Sequence, residues 1–457
     1  MKDADGIAAD LLALAGVPVG RLSIEGAEPV LGSSFRVDAA AAAAIGASGV
    51  AAAAIHAARG GGAQDVAIAL RHAAAEFRSE HHARDAAVPA GEMWDPIAGL
   101  YPTGDGGHVR LHTNFPHHRD GIVALLGCGN SREAVGRALL NRQAEAFETA
   151  ATARGMCVAA LRSFAQWDAH PHAAVLPDAP LAITRIGRAP RRALPPAAAR
   201  PLQGVRVLEL ARVLAGPVAG RTLAAHGAEV LHITGPGVPN LPRLIIDTGR
   251  GKRAAALDLN DASGRARLAE LAVGADVFLQ SYRSGALAAR GFGPEDLAAR
   301  NPGIVVGAVS AYGETGPWGG KRGFDSLVQT ATGFNDAEAA ACGEALPRPL
   351  PCQALDHASG TLLALGIAAA LLRRHEEGGS WNVTVSLAAT AKWLRNLGRV
   401  ADGFRAAPAG DVSDLLETQG SVTAVRHAAR LSATPAFWSH PAELIGTSPA
   451  EWMASQG

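Results

Sequence analysis

One carboxylate is set apart by its position at the start of a long apolar stretch. Residues 350–372 read LPCQALDHASGTLLALGIAAALL, in which Asp356 precedes Ser359 and Gly360 and no further Asp, Glu, Lys or Arg occurs before Arg373. An apolar run of this length predicts a buried helix rather than a strand. Asp356 would lie in or just before its first turn, either as a capping residue or as a nucleophile whose charge the helix N-terminus stabilises. This stretch alone leaves both interpretations open.

The stretch before it predicts a sheet that could position such a group. Within 203–400, apolar strands alternate with helices, and the predicted strands are 205–210, 229–234, 255–259, 275–282 and 303–313. This alternation is typical of an α/β protein with a doubly wound parallel (Rossmann-like) large domain. Ligands of such sheets bind beyond the carboxyl ends of the strands. We therefore expect the functional loops at 211–217, 235–253, 280–285 and 311–324.

These loops carry several cations. They hold Arg212, Lys252, Arg253, Arg283 and Arg322. Cations at strand ends suit a phosphorylated ligand, although solvated loop charges would give the same pattern. No GxGxxG motif follows the first strand, so the dinucleotide-binding fingerprint is missing.

The first part of the chain predicts an incomplete copy of the last part of the large domain. A helix, a loop, a strand and a second helix recur at one fixed offset, which pairs Gly49 with Gly366, Leu70 with Leu387 and Arg78 with Arg395. Such a repeat indicates duplication, although two Ala-rich helices could also match by chance. At this offset Asp356 pairs with Ala39, one residue from Asp38. Five regions are predicted: a partial, degenerate copy (1–95), a small α+β domain (96–190), a linker (191–202), the large domain (203–400) and a C-terminal extension (401–457).

Composition excludes several classes of function. The chain has 457 residues and a formal net charge of zero, which argues against an electrostatic nucleic-acid binder. Its four cysteines form no CxxC pair, which favours a reducing compartment. No signal peptide and no run of eighteen apolar residues is recognisable, so we expect a cytoplasmic protein without a membrane partner. Four histidines within 108–118 could bind zinc, but no acid or cysteine completes a set, and we expect no metal.

With these residues assembled, the chain resembles the class III CoA-transferase family (CaiB/BaiF, formyl-CoA transferase-like). The resemblance lies in LEL…VLAGPVAGRTLAAHGAEVL, GRGKRAAALDL, ADVFLQSYRSGALAARGF, NPGIVVGAVSAYGETGP, GFDSLVQTATG and LDHASG, which occur in this order through 202–400. Weaker similarity covers 94–190. The resemblance implies a CoA-binding large domain, a smaller α+β domain, acyl-CoA and a small carboxylate as substrates, and an interlocked homodimer.

The resemblance also implies roles for individual residues. Asp356 matches the acid that attacks the acyl-CoA thioester, forming first a mixed anhydride and then an aspartyl-CoA thioester. Small neighbours, Ser359 and Gly360, would leave room for the acyl group, and an ordinary Asp, with a pKa of ~3.9, would be ionised at neutral pH. The residues that match CoA contacts are Arg212, Lys252, Arg253, Ser281, Tyr282 and Arg322.

Three departures from the family pattern keep other functions open. The second strand ends in Thr234-Gly235-Pro236-Gly237, without the usual nucleotide-binding arginine. Phe324 replaces the histidine of the racemases, which removes one of two bases. The domain order is permuted, with a partial copy and the small domain first. The main expectation is an acyl-CoA:carboxylate CoA-transferase; the alternatives are a CoA-dependent isomerase or dehydratase and a non-catalytic CoA-binding paralogue.

Overall fold

The computed structural model describes residues 2–88, 92–196, 198–405 and 410–454. The elements before residue 88 are α1 (Ala4–Ala15), β1 (Arg21–Glu25), α2 (Val37–Ala58), β2 (Asp65–Ala69), α3 (Leu70–Glu76), α4 (Ser79–His82) and β3 (Arg84–Asp85). The next region contains β4 (Gly99–Pro102), β5 (His108–Leu111), α5 (Pro116–Leu126), α6 (Arg132–Leu139), α7 (Ala144–Ala153), β6 (Val158–Ala160), α8 (Phe164–Asp168) and β7 (Leu181–Gly187).

The large domain and the C-terminal extension complete the chain. The large domain contains β8 (Arg206–Leu210), α9 (Ala215–Ala225), β9 (Glu229–Thr234), α10 (Pro242–Thr248), β10 (Lys252–Ala256), α11 (Ala262–Val273), β11 (Val277–Gln280), α12 (Pro294–Arg300), β12 (Val305–Ser310), α13 (Asp325–Ala331), α14 (Phe334–Cys342), α15 (Ala354–Glu377), β13 (Ser380–Ser386) and α16 (Leu387–Asn396). The extension adds β14 (Leu416–Gln419), β15 (Val422–Val425) and β16 (Arg430–Leu431).

The large domain is built on a seven-stranded sheet in the order β10-β9-β8-β11-β12-β13-β7. The first six strands are parallel, and β7 joins β13 in the antiparallel sense. The strand order reverses at β8, between β9 and β11, so a ligand crevice is expected at the carboxyl ends of β8 and β11. The sheet confirms the predicted doubly wound α/β class. One predicted strand is displaced, because β10 begins at Lys252 and ends at Ala256 rather than covering 255–259.

The long helix α15 is the core of the molecule. It packs on α9, α2 and β13, and its apolar residues belong to the largest hydrophobic cluster of the protein. Gly360 permits the approach of α9, because a Cβ atom at this position would lie 2.4 Å from the carbonyl oxygen of Ala215. Helices α2 and α15 are long and apolar enough to cross a membrane. The most apolar stretch of α15 is entirely buried inside the fold, however, and that of α2 is mostly buried.

The N-terminal elements repeat those that end the large domain. Helices α2 and α15 begin at Val37 and Ala354, and helices α3 and α16 begin at Leu70 and Leu387, so both pairs are separated by 317 residues. In each half a parallel strand precedes the long helix and a second parallel strand follows it. The duplication inferred from the sequence predicts this equivalence.

Each half also supplies an edge strand to the sheet of the other. Strand β7 follows the N-terminal half but pairs with β13, and β16 follows the large domain but pairs with β2. The sequence analysis assigned 181–187 to the small domain; the structure corrects this, because β7 is part of the large sheet. The small domain retains the antiparallel sheet β4-β5-β6. The two halves are therefore interlocked within one chain.

The first 95 residues find their partners in the same chain. Helix α2 is packed between α1 and α15, and β2 lies between β1 and β16. The apolar surface of α2 is covered by α15 of the same chain, and the homodimer that the family resemblance implies stays a prediction.

Candidate active site

Asp356 lies in the first turn of α15, where the capping function is taken by another carboxylate. The helix begins at Ala354, and the amide of Asp356 donates a hydrogen bond to Oδ2 of Asp325, at 2.8 Å. Asp325 is fully buried at the start of α13 and also accepts a hydrogen bond from Gln329. Among the described residues no donor contacts the Asp356 carboxylate, which is 7% exposed. The capping interpretation therefore applies to Asp325 rather than to Asp356.

The surroundings of Asp356 favour its neutral form. Burial raises the pKa of Asp356 well above its ordinary value, and the nearby carboxylates of Asp325 and Glu80 raise it further. Burial likewise raises the pKa of Asp325 to about 6, against the opposing effect of its hydrogen bonds. The expectation of an ordinary Asp at position 356 is thus corrected, because the helix start lies in a dry, acidic environment.

A cleft between the small and large domains opens onto Asp356, and we call it the outer pocket. It encloses about 1180 Å³ of empty space, part of it continuous with solvent. Five of the seven sequence-predicted site residues line it, together with Arg283 and residues of the small domain; the five are Asp356, Arg212, Ser281, Tyr282 and Arg322. The backbone amide of Arg212 donates to Oγ of Ser281, at 3.0 Å, which links the ends of β8 and β11. The pocket therefore occupies the expected switch point of the sheet.

The outer pocket carries positive charge without matching acids. Arg212 contacts the carbonyl oxygen of Pro239 and the Phe115 ring, and Nη1 of Arg322 donates to the carbonyl oxygen of Gly155, at 2.9 Å. Arg283 is exposed. Within the described parts of the chain no carboxylate forms an ion pair with any of these three guanidinium groups, and Asp356 is the one acid of the lining. The pocket thus combines uncompensated cations with one buried carboxylate.

Two of the predicted CoA-binding residues lie elsewhere. Lys252 is 3% exposed, and its Nζ donates to both oxygens of Glu209, at 3.0 and 2.8 Å, and to the carbonyl oxygen of Pro217, at 2.8 Å. Arg253 donates to the carbonyl oxygens of Glu451 and Pro449 in the C-terminal extension. These contacts correct the prediction for both residues, because their donors already bind partners inside the protein. Alternate residues of β10 point to opposite faces, which the motif GKR does not reveal.

A second, smaller cavity also borders Asp356, and we call it the inner chamber. It encloses about 430 Å³ of empty space. Its lining comes from the N-terminal region, the small domain and the large domain, and consists of Glu80, Met93, Trp94, His112, Asn114, Val213, Leu214, Leu241, Leu244, Phe324, Ser326, Gln353 and Asp356. The lining is largely apolar or aromatic. Asp356 thus borders both a large cationic pocket and a small, mostly apolar chamber.

Glu80 is a site residue that the sequence analysis missed. Its Oε2 lies 2.9 Å from Nε2 of His357, the neighbour of Asp356 in α15, and both side chains are 1% exposed. The ring of His357 also stacks on Phe77, with 5.4 Å between the centroids. Contacts with His357 lower the pKa of Glu80 in spite of burial, so this carboxylate is ionised. The N-terminal region therefore fixes the start of α15.

Two further residues, Ser359 and Gly360, do not border either cavity. Oγ of Ser359 lies 2.7 Å from Oγ1 of Thr390, and Gly360 faces α9. Their small size serves helix packing, which corrects the prediction that they make room for an acyl group.

Val213 adopts a backbone conformation that is rare for a β-branched residue. Its φ of 68° lies in the left-handed region, which costs roughly 1–3 kcal/mol and is found mainly at functional sites. Val213 lines both the outer pocket and the inner chamber. The strained residue thus lies at the junction of the two cavities.

Three of the four histidines of 108–118 line the site, and these are His112, His117 and His118. His112 stacks on Phe324, with ring centroids 3.6 Å apart, and burial lowers its pKa to about 3. His117 and His118 line the outer pocket, and Nε2 of His118 lies 3.6 Å from Sγ of Cys157. No group of three or more His, Cys, Asp or Glu side chains within the described residues could hold a metal ion. Phe324 and His112 therefore form an aromatic wall beside Asp356.

Comparison with known proteins finds similarity to CoA-transferases over part of the chain. Residues 202–402 match the model of CoA-transferase family III. The probable fatty acyl-CoA transferase Rv3272 of Mycobacterium tuberculosis is 35% identical over 202 residues, which cover 41% of this chain and 51% of that protein. The succinyl-CoA:glutarate CoA-transferase of Mus musculus is 32% identical over 191 residues, which cover 39% of this chain and 43% of that protein. The chain spans about half the length of the curated relatives it matches.

Solved structures give similar coverage. A crystal structure of Rv3272 covers 44% of this chain and 59% of that chain at 35% identity, with a TM-score of 0.41. A crystal structure of a CAIB/BAIF family protein from Brucella suis covers 43% of this chain and 56% of that chain at 27% identity, with a TM-score of 0.39. Residues 202–402, which contain β8 to α16 and Asp356, are thus similar to CoA-transferase family III over a little less than half of the chain.

Proposed function

We propose that the protein is an acyl-CoA:carboxylate CoA-transferase in which Asp356 is the nucleophile. The observation that carries the proposal is the position of this carboxylate, which has no hydrogen-bond donor among the described residues and borders both a cationic pocket and a mostly apolar chamber. Phosphate groups of CoA suit the first cavity and an acyl group suits the second. The thioester between them would then meet Asp356.

The proposed reaction is the one that the family resemblance implies for Asp356. The ionised Asp356 attacks the thioester carbonyl, the carbon–sulfur bond breaks, and an acyl-aspartyl anhydride and CoA thiolate form. The thiolate attacks the aspartyl carbonyl, which releases the first carboxylate and leaves an aspartyl-CoA thioester. The incoming carboxylate repeats the two steps in reverse, so that its acyl group leaves as the new thioester and Asp356 is regenerated. Covalent catalysis usually speeds a reaction because it divides one difficult transfer into several easier steps.

The alternatives are less well supported by the site. A CoA-dependent isomerase needs a second base, and the position of that base is occupied by Phe324 while the neighbouring His112 has a pKa of about 3, too low for an effective base at neutral pH. A non-catalytic CoA-binding paralogue would not need an unpaired, buried carboxylate. Screening pairs of acyl-CoA and carboxylate for CoA exchange tests the proposal, and exchange with no pair would favour the binding function.

Arg322→Ala and Arg212→Ala are each expected to weaken CoA binding about tenfold or more, as loss of a hydrogen bond between charged groups does. The reason is that both guanidinium groups face the outer pocket with only carbonyl oxygens or a ring as partners. The loss should shrink at high salt, because part of the attraction is screened. Calorimetry with CoA at two salt concentrations measures both effects.

Arg253→Ala is the matched control, since its guanidinium group binds the C-terminal extension instead. Its CoA affinity should stay within twofold of wild type, roughly 0.4 kcal/mol. An equal loss in Arg253→Ala, or unchanged affinity in the two pocket variants, would contradict the assignment of the phosphates to the outer pocket.

Activity is expected to fall at acidic pH. The Asp325→Asn substitution should move this fall in kcat/KM to lower pH. Asp356 reacts only when ionised, and burial followed by the charge of Asp325 raises its pKa; removal of that charge therefore lowers the pKa of the nucleophile. The amide oxygen can still accept the hydrogen bond from the Asp356 amide. A profile of kcat/KM against pH measures the shift. An acidic fall that stays at the same pH, or that moves to higher pH, would refute the role of Asp325.

Homodimeric assembly and a cytoplasmic location remain predictions. Light scattering of the full chain at assay concentration measures the first.

A further inference from the structure

The inner chamber contains buried polar atoms that have no partner. Oε1 of Glu80 and Oγ of Ser326 make no hydrogen bond in the described structure, although Glu80 is 1% and Ser326 2% exposed. The same holds for Nδ1 of His112, which is 3% exposed. Nε2 of His81 lies 3.6 Å from Glu80 Oε1, too far for a hydrogen bond. Buried polar groups normally have partners, so three orphaned atoms around one cavity indicate a ligand with polar groups of its own.

The lining of the inner chamber holds two acidic side chains. Glu80 is ionised through its contact with His357, and Asp356 is the second acid of the lining. No Lys or Arg side chain is among the described residues that line the chamber. Arg110 lies on the Trp94 ring, 5.9 Å from its centroid, but is not part of the lining. An acyl group with a second carboxylate would therefore be buried beside Glu80 without a counter-ion, which is strongly unfavourable.

We propose that the inner chamber selects a short, uncharged acyl group that carries a hydroxyl, and that Glu80 is the residue that determines this specificity. The hydroxyl donates a hydrogen bond to Oε1 of Glu80, and its own oxygen can accept one from Oγ of Ser326. Trp94, Phe324 and the leucines of the lining contact the carbon chain. Hydrogen bonds to charged groups are the stronger ones, and a site built for a hydroxyl rejects analogues that lack it.

This inference rests on the proposed function, since it assigns the acyl part of the same substrate. The inference and the proposed function are tested separately, because turnover is measured with the wild-type protein and binding with a variant that cannot react. Wild-type protein reports CoA exchange, and Asp356→Asn, which cannot form the anhydride, reports the affinity for intact acyl-CoA.

The experiment uses three thioesters with four-carbon acyl groups: butanoyl-CoA, 3-hydroxybutanoyl-CoA and succinyl-CoA. In the Asp356→Asn background, calorimetry should show 3-hydroxybutanoyl-CoA binding about tenfold more tightly than butanoyl-CoA, and succinyl-CoA at least about tenfold more weakly. The double variant Asp356→Asn/Glu80→Gln should bind succinyl-CoA almost as tightly as butanoyl-CoA. It should also show a smaller preference for 3-hydroxybutanoyl-CoA over butanoyl-CoA. Glu295→Gln, an exposed glutamate at the start of α12, should change neither.

Glu80→Gln could also disturb α15, because Glu80 contacts His357. Ser326→Ala leaves that contact intact and should by itself reduce the preference for 3-hydroxybutanoyl-CoA several-fold. Equal affinity for the hydroxylated and unsubstituted thioesters, or succinyl-CoA binding as tightly as butanoyl-CoA, would overturn the chamber assignment even if wild type exchanges CoA. Absence of exchange in wild type with the selectivity intact would overturn the proposed function alone. Absence of any acyl-CoA binding would overturn both.

Discussion

Asp356→Asn is expected to abolish CoA transfer while leaving the fold intact. An amide cannot form the anhydride, so kcat should fall at least about 10³-fold, as it does when a catalytic nucleophile is removed. The free energy of unfolding should change by no more than about 1 kcal/mol, because no donor among the described residues contacts this carboxylate and the helix cap is supplied by Asp325. Steady-state CoA exchange, together with denaturant unfolding, measures both quantities.

The matched control is Asp336→Asn, which makes the same change at an exposed position in the first turn of α14. Its activity should equal that of wild type. Turnover near wild type in Asp356→Asn, with deamidation excluded by mass spectrometry, would show that another group attacks the thioester.

Asp247→Asn is expected to destabilise the protein by about 3–5 kcal/mol, the usual cost of breaking a buried ion pair on one side. Asp247 is fully buried at the end of α10. It forms an ion pair with Arg221 and accepts hydrogen bonds from Nη2 of Arg250, at 2.8 Å, and from Oγ of Ser79, at 2.6 Å. Without its charge, two buried guanidinium groups lose their shared counter-ion.

The same cluster joins three regions of the chain. Ser79 belongs to the N-terminal region, Arg221 and Arg250 to the large domain, and Nη1 of Arg250 donates to the carbonyl oxygen of Val425 in the C-terminal extension, at 2.8 Å. Denaturant unfolding of Asp247→Asn should therefore show a lower midpoint for the whole molecule. Asp261→Asn, an exposed residue before α11, is the control and should stay within about 0.5 kcal/mol of wild type. Equal stability of the two variants would contradict the structural role of the cluster.

The features that the sequence predicted well are those set by local pattern. Alternating apolar strands and helices predicted the parallel sheet, and the strand at Glu229–Thr234 has the expected bounds. The positions of loop cations at the strand ends predicted that Arg212 and Arg322 contact a phosphorylated ligand; both line one pocket, and the contact with CoA stays a prediction. The long apolar run predicted α15 and placed Asp356 in its first turn.

The features that the sequence did not predict depend on contacts between distant parts of the chain. Lys252 looked free for a phosphate, but it is paired with Glu209 on a strand two positions away in the sheet. Glu80 reaches His357 across 277 residues. The exchange of β7 and β16 between the two halves depends on how the sheets close, and nothing in either short segment specifies its partner.

The proposed mechanism requires that Asp356 becomes covalently linked to the acyl group or to CoA during the reaction. Mass spectrometry of peptides, after the protein has been incubated with 3-hydroxybutanoyl-CoA and hydroxylamine, detects this link. We expect a hydroxamate at Asp356 in the wild-type protein and none in Asp356→Asn. A protein that exchanges CoA at full rate without any label on this peptide would contradict it.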